Sequence, residues 1–434
     1  MNKYSFSALV AAGLLAGGLS AGSASAADLG GNCCADLEER IAELEATTAR
    51  KGNRKVSLTI SGWVGQQVMF WDDGEEQNVY VHDLGATLAS HVKFTGQATI
   101  SPGWTAGYVL HIEAIGSDSL THGQGGPGSS GGVNGPHVYS QLGSGRTGFG
   151  GVDVVQSYWF VKSEQLGKVS VGLQSQASDN TAILVDGSGS LVPANWVAFD
   201  TRLMGLRHND GSLVVGETWG LAQSCGGMGG VWGDCNGLTH NVVRYDSPTF
   251  GGFSVSASWG EDDMWDVAGR YAGEFSGFKI ALAAAYTEIT DSNYNNLTNA
   301  LGAVIPDEQY FQAGAYLEHV PTGIFGLVNY GHLDIDGVAD AQETWYGKLG
   351  LRQRWSALGH TVLYGEYLNG RDGGFAANSE LEVWGGGVVQ EIDAAAMSMW
   401  VKYRHLSYED DFHQGPINGI QDFQYVGVGA LINF

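Results

Sequence analysis

The chain has 434 residues and a net charge of −25, with 46 acidic against 21 basic side chains, and this imbalance argues against a nucleic acid partner. Glycine is abundant at 67 residues, but so are aromatic residues, with 13 Trp, 18 Tyr and 16 Phe. Disordered chains lack aromatic residues, so the composition favours many strands joined by glycine-rich turns.

Residues 1–26 are predicted to be a secretory signal peptide. Lys3 precedes an apolar run from Phe6 to Leu19, and small residues follow up to Ala26. The run is too short to span a membrane, and no longer one follows it. A lipoprotein anchored at Cys33 is the alternative, although Asn32 in front of that cysteine argues against it.

Residues 27–54 are predicted to form a periplasmic helix followed by a linker. Steps of three and four residues define a heptad seam at Cys34, Leu37, Ile41 and Leu44. Two heptads are marginal alone, so a coiled coil would join subunits that are already held together elsewhere. An amphipathic helix lying on its own domain fits the pattern equally well, and contact with the cell wall is a third role.

From residue 55 to 434 the apolar pattern has a period of two. Seven hairpins, together with a first and a last strand, predict about sixteen strands, and short turns alternate with long loops. A soluble chain of this length would need two or more β-sandwiches joined by linkers, and the sequence contains no linker after Lys55. We therefore predict an all-β fold, a transmembrane antiparallel β-barrel. Aromatic residues at strand ends are typical of membrane interfaces, and those assigned here are Trp71, Trp104, Trp159, Tyr245, Trp259, Tyr271, Trp345, Trp355 and Tyr403.

The final segment, "QYVGVGALINF", alternates up to Phe434. Such a strand would be an exposed edge in water, but pairing with the first strand would remove the edge. We expect Phe434 to close the barrel.

Several of these segments carry a family resemblance. "KVSVGLQS", "VVRYDSPTFGGFSVSASW" and the terminal Phe434 resemble Gram-negative general porins, and "ARKGNRKVSLTISGWV" with "WDDG" resembles their alphaproteobacterial branch. The resemblance implies a trimeric outer-membrane barrel for passive diffusion of small hydrophilic solutes. It also implies a third loop that folds inside, with acidic groups facing basic groups on the wall. Expected partners are membrane lipids and lipopolysaccharide with divalent cations, the machinery that reads the C-terminal strand, and peptidoglycan.

The loop at about 177–237 corresponds to that constricting loop. Strand parity supplies the opposing basic residues, because a Lys or Arg facing lipid at the midplane costs about 2–4 kcal/mol. Each acid could instead be a solvated loop residue, and each base could simply hydrate the lumen wall. The candidates are Asp179, Asp186, Asp200, Asp210 and Glu217 in the loop, and Lys93, Arg244, Arg270, Lys348, Lys402 and Arg404 on the wall.

Cys225 and Cys235 lie in the same loop, within "SCGGMGGVWGDC". Export places them in an oxidising compartment, which favours a disulfide. A metal site is the weaker alternative because His240 is the nearest histidine. We predict no metal and no cofactor.

The function predicted is a porin channel with weak cation preference, which the negative net charge and the acids of the constricting loop suggest. A sugar-specific channel is the alternative, since strand parity predicts that Trp384, Trp400 and Tyr346 face inward, where they could stack on sugars. A barrel enzyme is less favoured because no Ser–His–acid grouping is evident. A structural tether to the cell wall is the last alternative.

Overall fold

The computed structural model describes residues 56–85, 88–114, 119, 122–124, 152–197, 199–222, 239–260, 263–290, 307–338, 340–373 and 378–434, and the backbone alone at 126–127, 129–130 and 133–134. The predicted signal peptide, the coil seam and the Cys225–Cys235 pair lie outside these residues. Within the described part of the chain, no helix has the length and hydropathy needed to cross a membrane.

Sixteen antiparallel strands form one closed barrel, as predicted. Each strand pairs with its neighbour in sequence, and the first also pairs with the last. The strands are β1 (Thr59–Asp72), β2 (Gln77–His82 and His91–Ser101), β3 (Trp104–Ala114), β4 (Val152–Ser163), β5 (Gly167–Gln174), β6 (His240–Asp246), β7 (Phe253–Gly260), β8 (Trp265–Phe275), β9 (Phe278–Ile289), β10 (Glu308–His319), β11 (Ile324–Ile335), β12 (Gln342–Gln353), β13 (Thr361–Arg371), β14 (Glu380–Ile392), β15 (Met397–Glu409) and β16 (Phe423–Asn433).

The turns at one end of the barrel are short because their residues suit tight hairpins. Between β8 and β9, Ser276 and Gly277 have φ angles of 51° and 83°, and two successive positive angles are the geometry that matches the twist of paired strands. The longer connections lie at the opposite end. Three connections at that end are used below, and they are named loop 1 (residues 73–76), which is short, loop 3 (175–239) and loop 8 (410–422).

Strand β2 is interrupted between His82 and His91, where the described residues 83–85 and 88–90 make no strand pairs with β1. The Asp83 carboxylate accepts hydrogen bonds from the backbone N–H of Leu84 at 2.6 Å and of Ser90 at 3.1 Å. The Ser90 hydroxyl donates to the carbonyl of Gly65 on β1 at 3.1 Å. These bonds fix the two described ends of the interruption, and the segments of β2 on either side of it both pair with β1.

The barrel is closed by ten residue pairs between β1 and β16, from Trp63 opposite Asn433 to Asp72 opposite Gln424. Beyond the strand, the backbone N–H of Phe434 donates to the Gly62 carbonyl at 3.0 Å. The last strand therefore has no unpaired edge on its β1 side.

Apolar side chains cover much of the outer face, and large examples at half exposure or more are Val64, Trp159, Trp259, Trp345 and Leu349. Trp71 does not lie at the membrane interface, where it was predicted. It points inward, is 2% exposed and stacks on Phe423 with ring centroids 6.1 Å apart. The alternation of β1 has odd residues facing the interior, so the interface assignment of Trp71 was wrong.

Loop 3 fills part of the barrel interior. Its apolar residues, including Ile183, Val185, Trp196, Met204 and Trp219, pack against inward side chains of the wall in one buried cluster. The wall residues of that cluster come mainly from β10 to β16 and from β1, so the loop rests on one side of the barrel.

Candidate functional site

The first stretch of loop 3 is held to the wall by side chains of β6 and β8. Arg244 donates to the carbonyl oxygens of Ser175 at 2.9 Å and Gln176 at 3.1 Å. Arg270 donates to the Ala177 carbonyl at 2.6 Å. Both predicted wall bases therefore face inward and bind the backbone of the loop.

Asp266 of β8 also forms hydrogen bonds with the first stretch of loop 3. Its carboxylate accepts hydrogen bonds from the Ser178 backbone N–H at 2.7 Å and from the Ser178 hydroxyl at 2.5 Å. On β10, Gln312 accepts a bond from the Ala182 N–H at 2.9 Å and donates to the Ser178 carbonyl at 3.0 Å. Asp266 and Gln312 were not among the residues predicted from the sequence, although strand parity places both on the inward face.

Two predicted loop acids form buried ion pairs with predicted wall bases. The side chains of Asp186 and Lys348 are 1% and 0% exposed and are in direct contact. Asp200 and Lys402 are each 5% exposed and 2.5 Å apart. Asp200 also accepts bonds from the Tyr425 hydroxyl at 2.8 Å and from the Gln67 amide at 2.9 Å. Each of these acids touches its base directly, with no aqueous gap between them.

Arg404 makes a third buried pair, but its partner is on the wall. The guanidinium donates to the Glu366 carboxylate at 2.7 and 2.9 Å, and to the Asn195 carbonyl of loop 3 at 2.6 Å. Glu366 lies on β13 with inward parity and was not among the predicted residues. A carboxylate is needed beside Arg404 because burying a guanidinium without a counter-charge lowers the stability of the folded protein.

A cavity remains on the other side of the barrel, between the wall and the start of loop 3. The wall contributes Lys93, His111, Arg244 and Arg270, and the loop contributes Asp179 with Asn180 and Leu184. Of the predicted acids, Asp179 is therefore the one that borders this cavity together with three of the predicted bases.

The tip of loop 3 lies at the mouth of the barrel. A small hairpin, Gly205–Arg207 paired with Leu213–Thr218, carries Arg207, which donates to Asp73 of loop 1 at 2.9 Å. Asp210 is exposed in the hairpin turn, where hydrogen bonds from Ser212 lower the pKa of its carboxyl. The Arg207 bond ties loop 3 to loop 1.

Glu217 of the same hairpin faces loop 8. It lies 3.9 Å from His413, whose imidazole donates to Asp410 at 2.7 Å. Burial raises the pKa of Glu217. Burial also acts against ionisation of Asp410, but the hydrogen bonds from His413 outweigh it and keep that pKa low. Asp210 and Glu217 thus lie at the mouth, apart from the other predicted acids.

Residues 8–411 of the sequence match the family model described as Gram-negative porin. The chain belongs to the Gram-negative porin family. Family and barrel together place this porin in the bacterial outer membrane, where it forms a channel for passive diffusion. They indicate a channel rather than an enzyme.

Solved structures share the fold of this porin at low sequence identity. The anion-selective porin from Comamonas acidovorans gives a TM-score of 0.54 at 16% identity, over 87% of this chain and all of that one. OmpT of Vibrio cholerae, in its trimer form, gives 0.51 at 13% identity, over 87% and 99%. The DcaP channel of Acinetobacter baumannii gives 0.50 at 8% identity, over 89% and 100%. The comparison with curated protein sequences gives no match.

The aromatic residues considered for sugar stacking are not open to the lumen. Trp400 and Tyr346 point inward, but they are 3% and 2% exposed within the cluster beneath loop 3. Trp384 was wrongly assigned. It lies on the outer face, 49% exposed, opposite Tyr367 and stacked on His405 at 5.0 Å. None of the three can therefore stack on a solute in the cavity beside Arg244.

Proposed function

We propose that this porin works as a homotrimer in which each barrel carries solutes through the cavity between Lys93, Arg244, Arg270 and Asp179. The half of the barrel where Asp186 and Asp200 contact their bases is packed more tightly, and the cavity beside Asp200, Lys402 and Arg404 is the smaller of the two. The Vibrio cholerae structure of similar fold is a trimer, which supports the oligomeric state. The predicted seam at Cys34 to Leu44 would act as a clamp on such a trimer.

We further propose that the charge lining this path favours anions. Lys162 and Lys168 are opposite each other on β4 and β5, next to Arg244, and Asp246 is shared by Lys168 at 3.0 Å and Arg244 at 2.7 Å. Within the described residues, Arg270 has no carboxylate within ion-pair distance. Among Lys162, Lys168, Arg244 and Arg270, Asp246 is the one carboxylate in ion-pair contact within the described residues, and fixed charges at a narrow passage set ion preference.

The cation preference expected from the net charge of −25 stays a prediction, and it opposes this proposal. The lining charges lie nearest to the solute, whereas many of the acids are neutralised by partners or lie in loops. The deciding observation is that a single carboxylate, Asp246, pairs with both Lys168 and Arg244, while Arg270 has none at ion-pair distance within the described residues. This arrangement leaves excess positive charge beside the cavity.

Reversal potentials in planar bilayers under a KCl gradient test the proposal. We expect chloride preference in the wild type, and we expect Arg270→Gln to shift the reversal potential toward potassium because one positive charge is removed from the lining. Arg270→Lys is the matched control, since it keeps the charge and should keep the potential. Potassium preference in the wild type would contradict the proposal and support the net-charge prediction.

A further inference from the structure

Three metal-binding side chains meet on the lumen face of β2 and β3. His91 lies opposite Glu113 in the strand register, and His111 is two residues before Glu113. One potential ligand atom from each of the three lies within 4.8 Å of the others. The rings of His91 and His111 are 4.2 Å apart, and His111 Nε2 is 3.7 Å from the Glu113 carboxylate.

The orientation of His91 is fixed by its neighbours. Its Nδ1 is 3.0 Å from the Ala89 carbonyl oxygen, which can only accept, so Nδ1 carries the proton and Nε2 keeps its lone pair. The Trp63 ring packs edge-on against the imidazole at 4.0 Å, and Trp63 Nε1 donates to the Leu88 carbonyl at 3.0 Å. A backbone carbonyl on the second nitrogen is the arrangement that orients histidine ligands in metal sites.

The cluster is within reach of ions in the channel. His111 lines the same cavity as Arg244 and Arg270, so a hydrated ion inside the barrel can approach it. Glu113 is fully buried next to His111, and its carboxylate supplies negative charge to the group. A bound ion would replace the present contact between these two side chains.

We propose that His91, His111 and Glu113 bind one divalent transition-metal ion, of the nickel, copper or zinc type, at the wall of the channel. Two imidazoles and a carboxylate suit these metals, whereas calcium and magnesium take oxygen ligands. Lys93 is paired directly opposite His111, so its ammonium opposes the ion and limits the affinity. The bound ion adds positive charge beside the solute path.

Titration of the folded porin in detergent with Ni²⁺, followed by calorimetry, tests the site. We expect one equivalent of Ni²⁺ to be lost in the His91→Gln and His111→Gln variants, or its affinity to fall by about tenfold or more. Lys93→Gln should bind Ni²⁺ more tightly than the wild type. Ni²⁺ should also change the single-channel current of the wild type and leave that of His111→Gln unchanged.

His413→Gln is the matched control, because His413 forms a separate group of potential ligands with Glu217 and Asp410 at the mouth. That variant should keep the equivalent assigned to His111. The change in gel mobility on heating, which a folded barrel shows, checks that each variant is folded. Lys93→Gln still tests the site if a histidine variant does not fold. Unchanged binding in His91→Gln and His111→Gln, or weaker binding in Lys93→Gln, would overturn the proposal.

Discussion

Replacing Lys402 with methionine is expected to release loop 3 from the wall of this porin. The substitution leaves the Asp200 carboxylate in a site that is 5% exposed, with Tyr425 and Gln67 as its remaining hydrogen-bond donors. Removing one partner of a buried ion pair costs about 3–5 kcal/mol, because the other charge stays desolvated. Denaturant unfolding in detergent measures the loss, and limited proteolysis shows whether loop 3 has become accessible.

The matched control is the double variant Asp200→Asn with Lys402→Met. It removes both charges and keeps both shapes, so most of the lost stability should return. Equal stability of Lys402→Met and the wild type would show that the pair does not hold the loop. A double variant no more stable than the single one would show that lost packing by the lysine stem, rather than the uncompensated charge, causes the effect.

Adding a side chain at Gly314 is expected to displace the same loop by a different route. A Cβ atom there would lie 2.5 Å from the Ala182 carbonyl oxygen and 3.0 Å from a methyl group of Val185. Both contacts belong to the short 3-10 turn Ile183–Val185 and the residue before it. Backbone cannot yield as a flexible side chain can, so Gly314→Val should push this turn toward the channel and lower single-channel conductance.

Gly347→Ala provides the comparison, because a Cβ at Gly347 meets nothing within 4 Å. It lies two strands away in the same wall and should leave the conductance unchanged. Overpacking typically costs about 1–3 kcal/mol, so Gly314→Val should still fold. If its conductance equals that of Gly347→Ala, the turn at Ile183 does not border the solute path.

The barrel was predictable because its signals are local. A period of two places alternate residues on opposite faces, so the inward position of Lys402 follows from its own strand. Short turns such as Ser276–Gly277 mark the hairpins in the same direct way. The error at Trp71 arose because an aromatic residue was assigned by its type rather than by the parity of its strand, whereas Trp384 was given the wrong parity on β14.

The path of loop 3 was not predictable from such signals. Asp186 and Lys348 are 162 residues apart in sequence, and Asp200 and Lys402 are 202 apart. Any of five acids could pair with any of six bases, and the choice depends on how the apolar residues of the loop pack against the wall. Glu366 was missed because it neutralises Arg404 within the wall itself, whereas acidic partners were predicted in the loop alone.

The two kinds of charge inside this barrel should respond differently to salinity. Mobile ions screen exposed charges over about 8 Å at physiological ionic strength, but they act much less on pairs removed from water. Asp186 with Lys348 and Asp200 with Lys402 are of the second kind, so the width of the passage should be the same in fresh and in brackish water. Arg270 borders the cavity, so its influence on passing ions should fade as the surroundings become more saline.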